Sequence, residues 1–372
     1  MKFARTDQSA MAQWWWTVDR WTLAALTLLI GFGALLIMAS SPAVAIRIHA
    51  SSPQYFVHHY LVELPIALAV MFGVSLLSPR DIRRMSLAIF VVFMVLLAYT
   101  LVGGIDIKGA KRWIALPLFS LQPSEFVKPC FAVIGAWLFA QHKLTPKFPG
   151  HWIAILMLFG IVALLIKQPD LGMAVVVTAV FFIQFFLAGL NLFWIVAFVL
   201  AAGGGMAGAY FALPHVTSRV DRFLDPTSTN SYQVDRAMDA FMNGGLLGRG
   251  PGEGTMKQYL PDAHADFVFA VAGEELGLLT CLVIIGLFAF IMLRGFSRLL
   301  QENNLFVVLA ATGLLVQFGL QAVINMASSL ELMPTKGMTL PFISYGGSSL
   351  VALGLTMGMA LALTRKRYGV ET

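Results

Sequence analysis

Long, continuous apolar runs punctuated by short polar breaks make up most of this chain. A bilayer core takes roughly 20 apolar residues as a helix, and by that measure about ten spans are predicted. They fall near 21–40, 55–77, 85–103, 122–141, 151–167, 170–188, 191–213, 266–293, 303–325 and 345–364. Continuous runs fit helices; a closed barrel would show alternation instead. The expected fold class is therefore all-α, an integral membrane bundle forming one polytopic domain over residues 1–372. The first run is too long for the core of a signal peptide and reads as an uncleaved span. Between the fifth and sixth spans, Pro169 stops one helix and Asp170 caps the next. One large polar loop, 215–265, breaks the pattern. Within it Val234, Ala237, Met238, Phe241 and Met242 recur at helical spacing, which predicts an amphipathic helix ended by Gly244-Gly245.

Composition sharpens this picture. Of 372 residues, 58% are apolar and only 12% charged, too few polar side chains to coat a water-facing globule. A soluble enzyme, a disordered chain and a disulfide scaffold are thereby excluded. The two cysteines, Cys130 and Cys281, lie in apolar surroundings and read as packing residues. The net charge of +6 resides in cations between apolar runs, which favours anionic headgroups or a phosphorylated lipid over nucleic acid. Segments on the face holding both termini carry Arg80, Arg83, Arg84, Lys143, Lys147, Arg365, Lys366 and Arg367, and outnumber the cations of the opposite short loops. That bias places both termini in the cytoplasm and the 215–265 loop outside.

Ionisable residues that interrupt or border spans are Glu63, Glu125, Lys128, Asp266, Glu274 and Glu275. Such residues face a bundle interior and pair. Glu125 and Lys128, three apart, share a helical face and form either a structural ion pair or part of a binding site. Asp262 and Asp266, four apart, are expected on one helical face, with Glu274 near it and Glu275 turned away. Asp266 stands where water meets hydrocarbon, ionised yet poorly hydrated, as suits a general base; the alternative is a helix cap. Lys108, Lys111 and Arg112 form an outer cluster able to clamp a diphosphate or to attract lipid headgroups, with Trp113 as interfacial anchor. The run Gly248 to Gly254 fails as a phosphate loop, since no strand precedes it and Pro251 interrupts it; it reads as a hinge beside a lipid entrance. Gly204/Gly208 and Gly354/Gly358 fit close helix packing. Pro334 to Ser349, with two prolines and three glycines, predicts non-helical backbone at membrane depth, lining a cavity.

Four stretches taken together carry a resemblance: Ser120-Leu121-Gln122-Pro123-Ser124-Glu125-Phe126-Val127-Lys128, Lys167 to Gly172, Leu260 to Gly277, and Pro334 to Ser349. In order and spacing they resemble the SEDS family (shape, elongation, division and sporulation), and its cell-division branch more than its elongation branch. The resemblance implies a peptidoglycan glycosyltransferase that polymerises lipid II at the periplasmic face of the bacterial cytoplasmic membrane, at the division septum. It implies as partners lipid II, undecaprenyl-diphosphate-linked glycan, a class B penicillin-binding transpeptidase and other divisome membrane proteins, with no nucleic acid. The essential carboxylate falls on Asp266. Substrate-binding positions fall on Arg112, Glu125, Lys128, Arg219 and Lys336, joined by Lys111 of the outer cluster and His264 beside Asp266. Mg²⁺ or Mn²⁺ bridging the diphosphate is expected, with no ligand set identified. Asp262 stands where the family commonly has Glu, and Ala265 where it commonly has Thr. A lipid II flippase and a non-catalytic divisome scaffold are the rival readings.

Overall fold

In the computed structural model of the chain, the described residues are 9–107, 110–116, 120–189, 232–334 and 337–366, with 196, 200, 203–205, 207, 208, 210, 211, 216–218, 220 and 221 between them. Much of the span expected at 191–213 and the first part of the 215–265 loop lie outside these residues. So do Lys108, Arg219 and Lys336.

A short helix, α1 (Ala10–Thr17), precedes α2 (Arg20–Arg47), α3 (Tyr55–Ser75) and α4 (Pro79–Gly103). After α4 come strands β1 (Ile105–Ile107), β2 (Ala110–Ala115) and β3 (Ser120–Leu121). Helices α5 (Pro123–Leu144), α6 (Gly150–Lys167) and α7 (Leu171–Leu187) follow. The amphipathic helix α8 (Tyr232–Gly244) leads through a single 3-10 turn, Met256–Gln258, to α9 (Val268–Leu299), α10 (Leu305–Ser329) and α11 (Ser348–Leu363). Among the described residues, α2, α3, α4, α6, α9 and α10 are long and apolar enough to cross a membrane, and α7 and α11 are shorter apolar helices. The protein is a multi-pass, predominantly helical membrane protein.

The small antiparallel sheet corrects the all-α expectation. The outer loop predicted as a run of cations pairs Asp106 with Lys111 and Ile107 with Ala110, and Ile114 with Leu121. Alternating β-branched and aromatic positions in Ile-Asp-Ile and Lys-Arg-Trp-Ile suit a hairpin, and antiparallel pairing satisfies the backbone of a segment too short for a helix. At the α6–α7 turn, Asp170 Oδ1 accepts the Met173 N–H at 3.2 Å, the cap expected of it.

Burial separates two kinds of helix. In α10, 78% of the apolar window is buried, against 22–39% in the other five long apolar helices. Their outer faces expose Leu28, Met38, Val91, Val95, Leu156 and Phe159, an apolar belt suited only to lipid. Helix α5, which carries Glu125 and Lys128, is buried without interruption from Pro123 to Ala136 and packs against α4, α6 and α10. Helix α11 lies along α3, where a Cβ on Gly354 would fall 2.4 Å from the Ala67 carbonyl oxygen and one on Gly358 2.7 Å from that of Met71. Backbones this close need small residues, as the Gly354/Gly358 spacing predicted.

The two ends of the described chain meet. The Lys366 N–H donates to the Thr17 carbonyl at 3.1 Å, and the Trp14 indole donates to Ser75 Oγ at 2.8 Å. Just before α2, Asp19 is buried and bridged by Arg294 at 2.8 Å and Arg298 at 3.1 Å from the far end of α9. Burial alone raises the pKa of the Asp19 carboxyl, but the hydrogen bonds and charges of the two arginines outweigh it and hold the group below the ordinary carboxylate range. A depressed folded-state pKa stabilises the protein above the unfolded value, and that contribution disappears as pH falls through the folded value. Asp19→Asn is therefore expected to lower the thermal midpoint at neutral pH and to flatten the acid limb of the midpoint-against-pH curve. Parallel acid limbs for variant and parent, recorded by intrinsic fluorescence in detergent, would refute this.

Candidate active site

A cavity of about 520 Å³ opens between α3, the β1–β3 sheet, the start of α5 and the segment before α11. Its wall includes Glu63, Arg112, Glu125, Asp170 and Asp266. The volume lies within the range of small-molecule sites.

Asp266 reaches this wall from a turn, not from a helix. Residues 261–267 form consecutive turns, the Asp266 N–H donates to the Asp262 carbonyl at 3.0 Å, and α9 begins only at Val268 with Phe267 as its cap. The expected common helical face of Asp262 and Asp266 is thus replaced by a tight turn, and Asp266 is not the helix cap. Three side chains fix this turn by its backbone. Asn325 Nδ2 on α10 donates to the Asp266 carbonyl at 3.0 Å and to the Met338 carbonyl at 2.6 Å. Ser344 Oγ donates to the Ala265 carbonyl at 2.6 Å, and Arg47 to that of Leu260 at 3.0 Å. Gly337 faces the carboxylate: a Cβ there would stand 3.3 Å from Asp266 Oδ2, and its φ of +57° suits glycine.

The glycine-rich run is anchored, which overturns its reading as a hinge. Glu274 accepts the N–H groups of Thr255 and Met256 at 2.9–3.1 Å, and Glu275 accepts that of Gly252 at 3.0 Å and pairs with Lys257 at 2.6 Å. Both carboxylates are fully buried. Glu275 does not point away to no purpose; it and Glu274 grip the same loop, whose donors return from about twenty residues upstream. Where α9 opens at Gly277, Leu278 and Leu279 donate to the carbonyls of Gly245 and Leu246, completing the attachment.

The other expected site residues fall in distinct places. Glu125 lines the cavity, and Lys128 lies behind it, paired at 2.8 Å and bonded to Gln321 Oε1 at 3.2 Å. Gln321 in turn donates to the carbonyl and hydroxyl of Thr339. Arg112 lines the cavity while its guanidinium donates to the carbonyls of Gln168, at 2.9 Å, and Pro169, with Asp170 at 3.6 Å. Lys111 is exposed on β2 opposite Asp106 and is outside the cavity wall. His264 packs between Phe56, at 4.0 Å centroid distance, and Tyr345, at 5.6 Å. Its carbonyl accepts the Tyr345 N–H at 2.9 Å. Sequence reasoning missed Asn325 and Gln321. Their signal was available: Gln317, Gln321 and Asn325 recur every fourth residue along one face of an apolar span. Among the described residues, no three His, Cys, Asp or Glu side chains group to hold a metal.

Residues 20–369 match the family of FtsW, RodA and SpoVE, described as cell cycle proteins. The chain belongs to this family. A relative from Caulobacter vibrioides, named "Probable peptidoglycan glycosyltransferase FtsW", is 47% identical over 368 residues, covering 99% of this chain and 94% of its own. One of the same name from Trichlorobacter lovleyi is 34% identical, covering 92% of each. Among solved structures, the rod shape determining protein RodA of Thermus thermophilus superposes with a TM-score of 0.71 at 26% identity, covering 96% of this chain and 99% of that one. A chain from a peptidoglycan synthase complex, solved for the coordination of polymerization and crosslinking, gives 0.74 at 25% identity, covering 93% and 97%. The family's fold is thus shared along nearly the whole chain.

The anchored loop gives a direct test. Glu275→Ala leaves the Lys257 ammonium buried beside no carboxylate, and breaking such a pair on one side costs about 3–5 kcal/mol. Faster proteolysis between residues 248 and 258 and a lower thermal midpoint are expected, with partial recovery in Glu275→Ala/Lys257→Met. Unchanged protection in the single variant would contradict the anchoring.

Proposed function

We propose that this protein is the septal peptidoglycan glycosyltransferase of its cell, polymerising lipid II with Asp266 as general base. The observation that carries the reading is the position of Asp266, whose side chain lines an open cavity while its backbone is held from three directions. A base of fixed position in a partly dry site can remove a proton as the new bond forms. In the proposed step Asp266 takes the proton of the 4-hydroxyl of the GlcNAc of incoming lipid II. That oxygen attacks the anomeric carbon of the terminal MurNAc of the growing glycan. The bond from that carbon to the diphosphate oxygen breaks, undecaprenyl diphosphate leaves with the electron pair, and the α-linked donor becomes a β-linked product. Attack opposite the leaving group is the inverting geometry known for glycosidases.

Arg112 supplies positive potential at the same wall, and Glu125, Lys128, Lys111, His264, Arg219 and Lys336 complete the proposed substrate-binding set. Mg²⁺ or Mn²⁺ carried on the diphosphate, with one or two protein carboxylates, is compatible with these donors. The chain is read as one polytopic domain of about ten spans, consistent with the helix length a bilayer requires. The 215–265 loop is placed in the periplasm and both termini in the cytoplasm, a reading supported by the meeting of Lys366 with Thr17. A class B penicillin-binding transpeptidase is the proposed partner, since a relative of like fold was solved within a peptidoglycan synthase complex. Other divisome membrane proteins are expected around the pair.

Purified protein with its transpeptidase partner is expected to polymerise labelled lipid II, and Asp266→Asn to lose about 10²–10⁴-fold in rate, the usual contribution of a general base. Equal polymer from both proteins on a gel would discard the assignment. Vesicle translocation of lipid II that survives the substitution would favour a flippase, and a variant that still supports division would favour a scaffold.

A further inference from the structure

Glu63, on α3, is the other carboxylate of the cavity wall whose role the preceding chemistry does not absorb. It is 6% exposed, its carboxylate is hydrogen-bonded by the Tyr345 side chain, and its Oε2 has no hydrogen-bond partner. A buried acceptor without a donor carries a large desolvation penalty, and in a native structure it calls for an explanation. Its surroundings supply one. Tyr55, His59, Trp113 and Tyr345 line the same cavity. Aromatic faces beside a few placed polar groups are the make-up of a site for a small molecule with both apolar and hydroxylated faces. Gly347 lies beside the carboxylate: a Cβ there would stand 3.7 Å from Glu63 Oε1, and its φ of +53° disfavours any side chain.

Charge decides which part of the substrate belongs at this wall. The Glu63 carboxyl brings no positive charge to hold a diphosphate, whose place is toward Arg112, which lines the same cavity. The unpartnered oxygen of Glu63 is an acceptor that a sugar hydroxyl or N–H can satisfy. We propose that Glu63 is a sugar-recognising residue, accepting a hydrogen bond from a hydroxyl or acetamido N–H of the substrate's N-acetylated aminosugar while the neighbouring rings carry the apolar face of the pyranose. This assignment rests on the glycosyltransferase reading for its ligand but not on turnover. Tyr345 connects the two walls, since its side chain meets Glu63 and its N–H meets the His264 carbonyl two residues before Asp266. Sugar seated on Glu63 is thereby registered against the base.

The test measures binding of lipid II and of undecaprenyl diphosphate to the Asp266→Asn protein in nanodiscs, with Glu63 intact, Glu63→Ala and Glu63→Gln. Lipid II affinity is expected to fall about 3- to 10-fold in Glu63→Ala, the range for a lost hydrogen bond, and less in Glu63→Gln. Affinity for undecaprenyl diphosphate, which has no sugar, is expected to hold. Equal weakening of both lipids, or unchanged lipid II affinity in both variants, overturns the proposal. The isosteric Gln variant keeps the comparison available where Ala does not fold. Because no turnover is read, a wild-type protein that fails to polymerise would sink the reaction without deciding this site.

Discussion

One side-chain amide, that of Asn325, joins the two non-helical segments that meet at the cavity. Backbone that leaves the helix at membrane depth has no water to turn to, and each carbonyl or N–H left over there is expensive. Asn325 satisfies the Asp266 and Met338 carbonyls together; Gln321, one turn earlier on α10, serves Thr339; Ser344 serves Ala265; and Tyr345 serves His264. The segment bearing Asp266 and the segment before α11 are therefore one hydrogen-bonded unit. The position of Asp266 is fixed through its backbone, and the residue lines the cavity.

The cations around the cavity are held in the same manner. The Arg112 guanidinium spends its Nε and Nη2 donors on carbonyls and turns Nη1 to Asp170, and Lys128 is shared between Glu125 and Gln321. Neither is a loose tether that swings onto a phosphate. Each is a fixed positive centre, and preorganised charge of this kind stabilises developing negative charge without reorganisation during the reaction. The sequence offered Lys108, Lys111 and Arg112 as a diphosphate clamp or as a cluster attracting lipid headgroups; the hairpin exposes Lys111 and commits Arg112 to the α6–α7 turn.

What was legible in the sequence follows from which physical quantity each signal reports. Apolar run length reports the cost of transferring side chains into lipid, so α3 and α6 were found with ends within two residues of those observed, while α2 and α10 run on past the expected ends. The Glu125–Lys128 pair was legible because three-residue spacing on a helix brings side chains together. Asp262 and Asp266 share the same kind of spacing, but the chain there is a turn, and helical reasoning placed them wrongly. Glu274 and Glu275 were legible as buried charges and not as loop anchors, because their partners are backbone N–H groups with no side-chain signature. Resemblance supplied what spacing could not: it singled out Asp266 among the six ionisable residues at the spans.

The distribution of polarity among the helices explains why the site lies where it does. In a water-soluble protein the most apolar segment is the core; here that relation is inverted, because lipid is as apolar as any side chain. The strongly apolar α4 buries 22% of its window, and its remaining surface has only hydrocarbon to meet. Helix α5 carries Glu125 and Lys128 and is not among the apolar spans, yet it is buried without a break through its first fourteen residues. Charge is tolerable on α5 because every side of it faces protein, where Gln321 and the paired residues can answer it. The same logic places Gln317, Gln321 and Asn325 on α10, the most buried of the long apolar helices. The charged pair of α5 and the amides of α10 are thus buried among protein, and the cavity opens between the start of α5 and the turn carrying Asp266.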